Sequence, residues 1–137
     1  MARVNTYLNF MGKTEEAFNF YKEVFSTEIT SLTRMKDMPR PEGAPSLAES
    51  EANLIMNIQM PITNGHVLMA TDMIASMGHN LKVGNNVTIS LDLDSQEEAE
   101  RFITSYLPIH RRILAHLHQC RGELFGDHAK TNMAFVG

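Results

Sequence analysis

The sequence predicts an α+β domain, and three observations lead there. Short alternating runs rich in β-formers recur at residues 3–10, 28–35, 53–60, 66–71 and 87–93. Acid-led helix openings follow the first and the last of these runs. The two strand–turn–helix segments also resemble each other, since Glu15-Glu16-Ala17 and Phe20 recur as Glu97-Glu98-Ala99 and Phe102, 82 residues later. A chain of 137 residues holds one domain, or two half-sized units sharing a core. We read a single domain of two modules, residues 1–82 and 83–137.

Each element has a local reason. Arg3 to Phe10 alternates, and Gly12 ends the strand. Thr14 is placed to cap a helix over residues 15–25, whose stripe is Ala17, Phe18, Tyr21, Val24 and Phe25. Residues 28–35 form a weaker strand. Residues 37–50 hold three of the five prolines and read as a surface loop. Alternation from 53 to 60 groups Leu54, Met56, Ile58 and Met60 on one face and Ile55 on the other. Asn64-Gly65 is a strong hairpin signal, with residues 66–71 as the returning strand. A second loop spans 72–82, and Val87 to Leu93 is the cleanest strand.

Composition excludes several functions. The net charge of −4 argues against nucleic acid, which calls for concentrated Lys and Arg. No apolar run is long enough to span a bilayer, and the N-terminus has no signal-peptide core. One Cys makes no internal disulfide. These features predict a soluble, cytoplasmic protein without a membrane or nucleic-acid partner. The charge is uneven: residues 107–137 carry four basic and two acidic side chains and four of the six histidines. That tail differs from everything before it.

Tyr7-Leu8-Asn9-Phe10-x-Gly12-x-x-Glu15-Glu16-Ala17-Phe18-x-Phe20-Tyr21-x-x-Val24-Phe25 resembles the opening of the PhnB-like branch of the vicinal oxygen chelate superfamily. That superfamily includes glyoxalases, bleomycin-resistance proteins and extradiol dioxygenases. Asn64-Gly65-x-x-Leu68-Met69-Ala70-Thr71-Asp72 is similar to that branch's G-x-x-L-M-x-S-D hairpin. The resemblance covers residues 3–105. It implies paired βαβββ modules curled around a small-molecule site, usually in a homodimer. Beyond 105 the residue types depart from the branch, and both of its signature tryptophans are missing. The second module is therefore expected to be incomplete or to end in a helix. Ile109, Ile113, Leu117, Cys120 and Leu124 share a helical face, whereas the branch has strands there. Divergence or a shifted reading frame would each produce such a tail. Coding DNA around codons 104–137 separates them, because a neighbouring frame restoring the Gly-Gly and Phe-Trp-Gly pattern would identify a frameshift.

The superfamily's chemistry usually uses a divalent metal held by His, Glu or Gln. The corresponding places here fall at Thr6, at Val87, Thr88 or Ile89, and at Leu68 or Met69, with no acid on the last strand at 132–136. None is a good metal ligand, so no metal or other cofactor is expected at the usual site. A displaced site using His66, His79 or a tail histidine is the alternative. His116 with Cys120 or His118 supplies only two ligands, and zinc needs three or four. Asp72 reads as a turn residue. No Gly-rich cofactor loop follows a strand, which argues against a methyltransferase. The expected ligand pocket comprises Thr6, Leu8, Met56, Met69, Thr88, His66 and His79, and its expected occupant is an apolar small molecule. A metal-free binding protein is the first reading. A displaced-metal glyoxalase- or dioxygenase-like enzyme, or a non-catalytic dimeric scaffold, is the alternative.

Overall fold

The computed structural model describes residues 1–39, 42–43, 47–84, 89–95, 97–98, 100–102 and 129–133. The chain is mixed α+β and divides into two units, Met1–Leu81 and Lys82–Gly137. In the first unit, β1 (Thr6–Phe10) leads to α1 (Thr14–Phe25), then β2 (Ser31–Arg34), a short helix α2 (Glu49–Ala52), β3 (Ile55–Pro61) and β4 (Val67–Asp72). The four strands form one sheet in the order β1-β4-β3-β2. β1 runs parallel to β4, while β2–β3 and β3–β4 are antiparallel. This is a βαβββ unit, as the resemblance implies.

The helix faces one side of the sheet because the register collects apolar side chains there. Thr6, Leu8 and Phe10 stand opposite Leu68, Ala70 and Asp72, and Ala70 and Leu68 stand opposite Ile58 and Met60. Phe10, Ile58, Met60, Leu68 and Ala70 are buried. They meet Phe18, Phe20, Tyr21 and Val24 of α1, which are also buried. Removing an apolar side chain of this size from water stabilises by roughly 1.5–3 kcal/mol each. The buried set is therefore enough to fix the face on which α1 lies. Phe20 widens the predicted stripe, and its ring tilts against Tyr21 at 5.6 Å between centroids.

A bulge changes the predicted phase of β3. Thr33 pairs with Asn57 but Arg34 pairs with Ile55, so one extra residue, Met56, enters the ladder. Ile55 is consequently buried together with Ile58 and Met60, and Met56 is half-buried. Strict alternation had put Ile55 on the opposite face. The hairpin was read correctly. Asn64 and Gly65 both have positive φ, 55° and 74°, and His66 N–H donates to Thr63 C=O at 3.1 Å. This is the type I′ geometry that Asn-Gly favours.

The start of α1 is not capped as predicted. Its N-cap residue is Lys13, which offers no acceptor, and Thr14 is the first helical residue. Asp72, only 4% exposed, supplies the cap from across the fold. Its Oδ1 accepts the Thr14 N–H at 3.1 Å and the Thr14 hydroxyl at 2.7 Å, and its Oδ2 accepts the Ile55 N–H at 2.9 Å. Asp72 is thus a capping residue as well as the last residue of β4. Gly12, at φ 73°, makes the turn that brings Thr14 to it.

In the second unit, β5 (Ile89–Leu93) pairs antiparallel with β6 (Ala129–Met133). Positions 97, 98 and 100–102 are helical, so the strand–turn–helix order recurs. Phe102 is buried, as is its counterpart Phe20. Leu91 and Leu93 of β5 are buried. Here Ser95, the counterpart of Lys13, caps locally: its Oγ accepts the Glu98 N–H at 3.2 Å. The strand beside β5 runs antiparallel, unlike the strand beside β1; it spans Ala129–Met133 and overlaps the expected 132–136 at Asn132 and Met133, while 134–136 lie outside the described residues. The segment predicted as helix, 109–121, lies outside the described residues, as does Thr88.

Replacing Asp72 leaves two buried N–H donors without an acceptor. Asp72→Ala is expected to cost on the order of 2–4 kcal/mol, against about 1 kcal/mol for Ser95→Ala. Denaturant midpoints at unchanged m-value measure both, and equal small losses would refute the distinction.

Candidate functional site

The sheet face opposite α1 is the candidate site. Its register positions are Tyr7 and Asn9 of β1, Ser31 and Thr33 of β2, Asn57, Gln59 and Pro61 of β3, and Val67, Met69 and Thr71 of β4. None carries a formal charge and none is a histidine. Tyr7 is 47% exposed, while Asn57, Gln59, Met69 and Thr71 are half-buried.

A chain of side-chain hydrogen bonds crosses this face. Gln59 Nε2 donates to Asn57 Oδ1 at 3.0 Å, and Asn57 Nδ2 donates to Tyr7 Oη at 3.3 Å. Tyr7 is on β1 and Asn57 on β3, with β4 between them. Two strand spacings are roughly 9.5 Å, so the ring must lie across β4 to make the bond. Because Oη accepts from Asn57, its own O–H is left to donate. An aromatic platform is thereby combined with a directed hydroxyl.

The structure separates the residues expected to line a pocket. Thr6 and Leu8 share the α1 face with Phe10, because parity along β1 places Tyr7 and Asn9 on the other side. Met69 is on the candidate face, and Met56 is the bulge residue. His66 is half-buried and bonded to β1: its Nε2 accepts the Thr6 N–H at 3.2 Å and lies 2.9 Å from Thr6 Oγ1. His79 is exposed in the loop after β4, with Nδ1 accepting the Ile74 N–H at 3.1 Å. The two histidines thus brace backbone N–H groups. Sequence reading missed Tyr7, Asn57 and Gln59. Their signal was the parity opposite Phe10, which becomes usable once the α1 face is known.

The metal ligands usual for this fold do not fit these positions. The candidate face offers no His, Asp or Glu, and Leu68 is buried on the α1 side. No group of three or more His, Cys, Asp or Glu capable of holding a metal occurs among the described residues.

Charge is concentrated around the helix. Arg34 donates through Nη1 and Nη2 to the two Glu15 carboxylate oxygens, at 3.0 and 2.7 Å, and through Nη1 to Asn53 C=O at 2.7 Å. The hydrogen bonds from Arg34 hold the Glu15 carboxyl below its ordinary value of 4.5. They also raise the Arg34 guanidinium.

What the described residues define is an α+β chain with a glyoxalase-like fold. It is similar to protein PA1353 from Pseudomonas aeruginosa, with a TM-score of 0.63 and 26% identity over 77% of this chain and 71% of that one. It shares its fold with the PhnB protein from Bacillus cereus, whose name carries a provisional 3-demethylubiquinone-9 3-methyltransferase assignment. That likeness has a TM-score of 0.52 and 24% identity, over 76% of this chain and 72% of that one. No family model and no curated protein matches the chain. Among the described residues, no helix is long and apolar enough to cross a membrane.

The Glu15–Arg34 pair predicts a pH dependence. A depressed folded-state pKa adds stability above the unfolded value, and that stability is lost as pH falls through the folded value. Arg34→Ala should therefore lower stability near pH 7 by about 0.5–1 kcal/mol. The difference from the parent chain should shrink as pH drops below 4.5, where the Glu15 contribution disappears. Denaturant titrations at pH 7 and pH 3 test this, and an unchanged difference would refute it.

Proposed function

We propose that this chain is a small-molecule binding protein that takes its ligand on the sheet face opposite α1 and needs no metal to do so. The observation that carries this reading is the hydrogen-bonded Gln59–Asn57–Tyr7 chain on an uncharged, partly apolar face. The ring of Tyr7 and the side chain of Met69 supply contact area, and the amides and hydroxyl supply direction. Metal-dependent chemistry of the glyoxalase or dioxygenase kind would need ligands that these positions lack. The histidine nitrogens in hand, Nε2 of His66 and Nδ1 of His79, already accept backbone N–H groups. The glyoxalase-like fold supports a homodimer as the working assembly, in keeping with the resemblance described above.

Two measurements test the reading. Elemental analysis after dialysis should find well under one divalent metal per chain, and stoichiometric retained metal would overturn it. Thermal unfolding should be followed against a panel of apolar antibiotics and aldehyde adducts. A ligand present at a hundred times its Kd should raise the midpoint by roughly 5–10 °C. Met69→Glu should abolish that shift while the ligand-free midpoint stays within a few degrees. No shift with any compound would favour a scaffold role.

A further inference from the structure

We infer that the ligand of this face is a neutral, planar molecule bearing a carbonyl or similar acceptor oxygen, anchored by the hydroxyl of Tyr7; this rests on the binding reading above and specifies its substrate class. Three observations support it. First, the register positions of the face contain no Lys, Arg or His, so a carboxylate, phosphate or sulfonate would lose its hydration without a countercharge. The cations beside β2 are engaged elsewhere: Arg34 with Glu15 and Lys36 with the side-chain oxygen of Asn53.

Second, the hydrogen-bond chain has a direction. Gln59 donates to Asn57 and Asn57 donates to Tyr7, so the hydroxyl at the end is polarised toward donating its own proton. A ligand meets a donor there, and an acceptor oxygen is its complement. Third, the Tyr7 ring must lie across β4 to reach Asn57, and it is 47% exposed. A flat ring lying on a sheet, with the flexible Met69 on the strand beneath it, suits an aromatic or conjugated plane.

A matched probe pair tests the inference on the full chain at pH 7. The ketone 6-propionyl-2-(dimethylamino)naphthalene is neutral and fluorescent, and 6-(dimethylamino)-2-naphthoate places a carboxylate on the same rings. The ketone should bind with a blue-shifted emission, and the carboxylate should bind at least tenfold more weakly. Tyr7→Phe keeps the ring and should weaken ketone binding by about fivefold to tenfold. Asn57→Ala removes the donor to Oη and should weaken it by a smaller factor, about twofold to threefold. Unfolding midpoints of both variants show whether they fold. Equal or tighter carboxylate binding would overturn the neutral-ligand inference yet leave the binding reading intact. Undiminished ketone binding by a folded Tyr7→Phe would remove Tyr7 as the anchor. If neither naphthalene binds, the inference fails, and the binding reading is then decided separately by the thermal-shift panel.

Discussion

One buried carboxylate determines how the first unit is assembled. Asp72 ends β4, accepts the first N–H and hydroxyl of α1, and accepts the first N–H of β3. A helix N-terminus carries unsatisfied N–H groups and a partial positive charge, so an anion placed there is stabilising twice over. The parallel pairing of β1 with β4 sets Phe10 opposite Asp72. The turn at Gly12 must then deliver Thr14 to that carboxylate. Strand register, turn conformation and helix position are thus aspects of a single constraint, and the apolar face of the sheet is covered because the helix can start only there.

The second unit meets the same requirement locally. Ser95 stands where the first unit has Lys13, and its hydroxyl caps its own helix start. A local cap is available as soon as the helix forms. The Asp72 cap exists only after the hairpin strand has docked beside β1, 58 residues from the helix that it serves. The first helix is therefore tied to the completion of its sheet. Its early acids, Glu15 and Glu16, complement the dipole.

What could be read from the sequence follows the same division between local and distant causes. The Asn64-Gly65 turn, the apolar stripe of α1 and the strands flanking the hairpin follow from residues within a few positions of one another, and they form as read. The role of Asp72 was hidden because its partners lie 17 and 58 positions away. The faces of β3 were misassigned because alternation assumes an unbroken ladder, and the bulge at Met56 comes from pairing with β2. For the candidate site the decisive quantity was parity on β1. Thr6 and Leu8 belong to the helix side, a choice that Phe10 and Asp72 make jointly. The Tyr7–Asn57 bond spans 50 residues and two strands, so no local pattern announces it.

The separation of charge between the two faces has a consequence for recognition. On the helix side, ion pairs such as Glu15–Arg34 sit at the edge of an apolar core, where water still screens them. On the opposite side the polar groups are amides and hydroxyls, some of which bond one another or the backbone. Asn57 both accepts and donates within the chain, and Thr71 Oγ1 donates to Ile55 C=O at 3.3 Å. Each such bond lowers the penalty of drying the groups that make it when a ligand covers them. On the reading proposed above, the Tyr7 proton at the end of the chain marks where an acceptor oxygen sits. Recognition on that reading rests on shape, on the placement of an acceptor oxygen and on the missing countercharge for an anionic ligand.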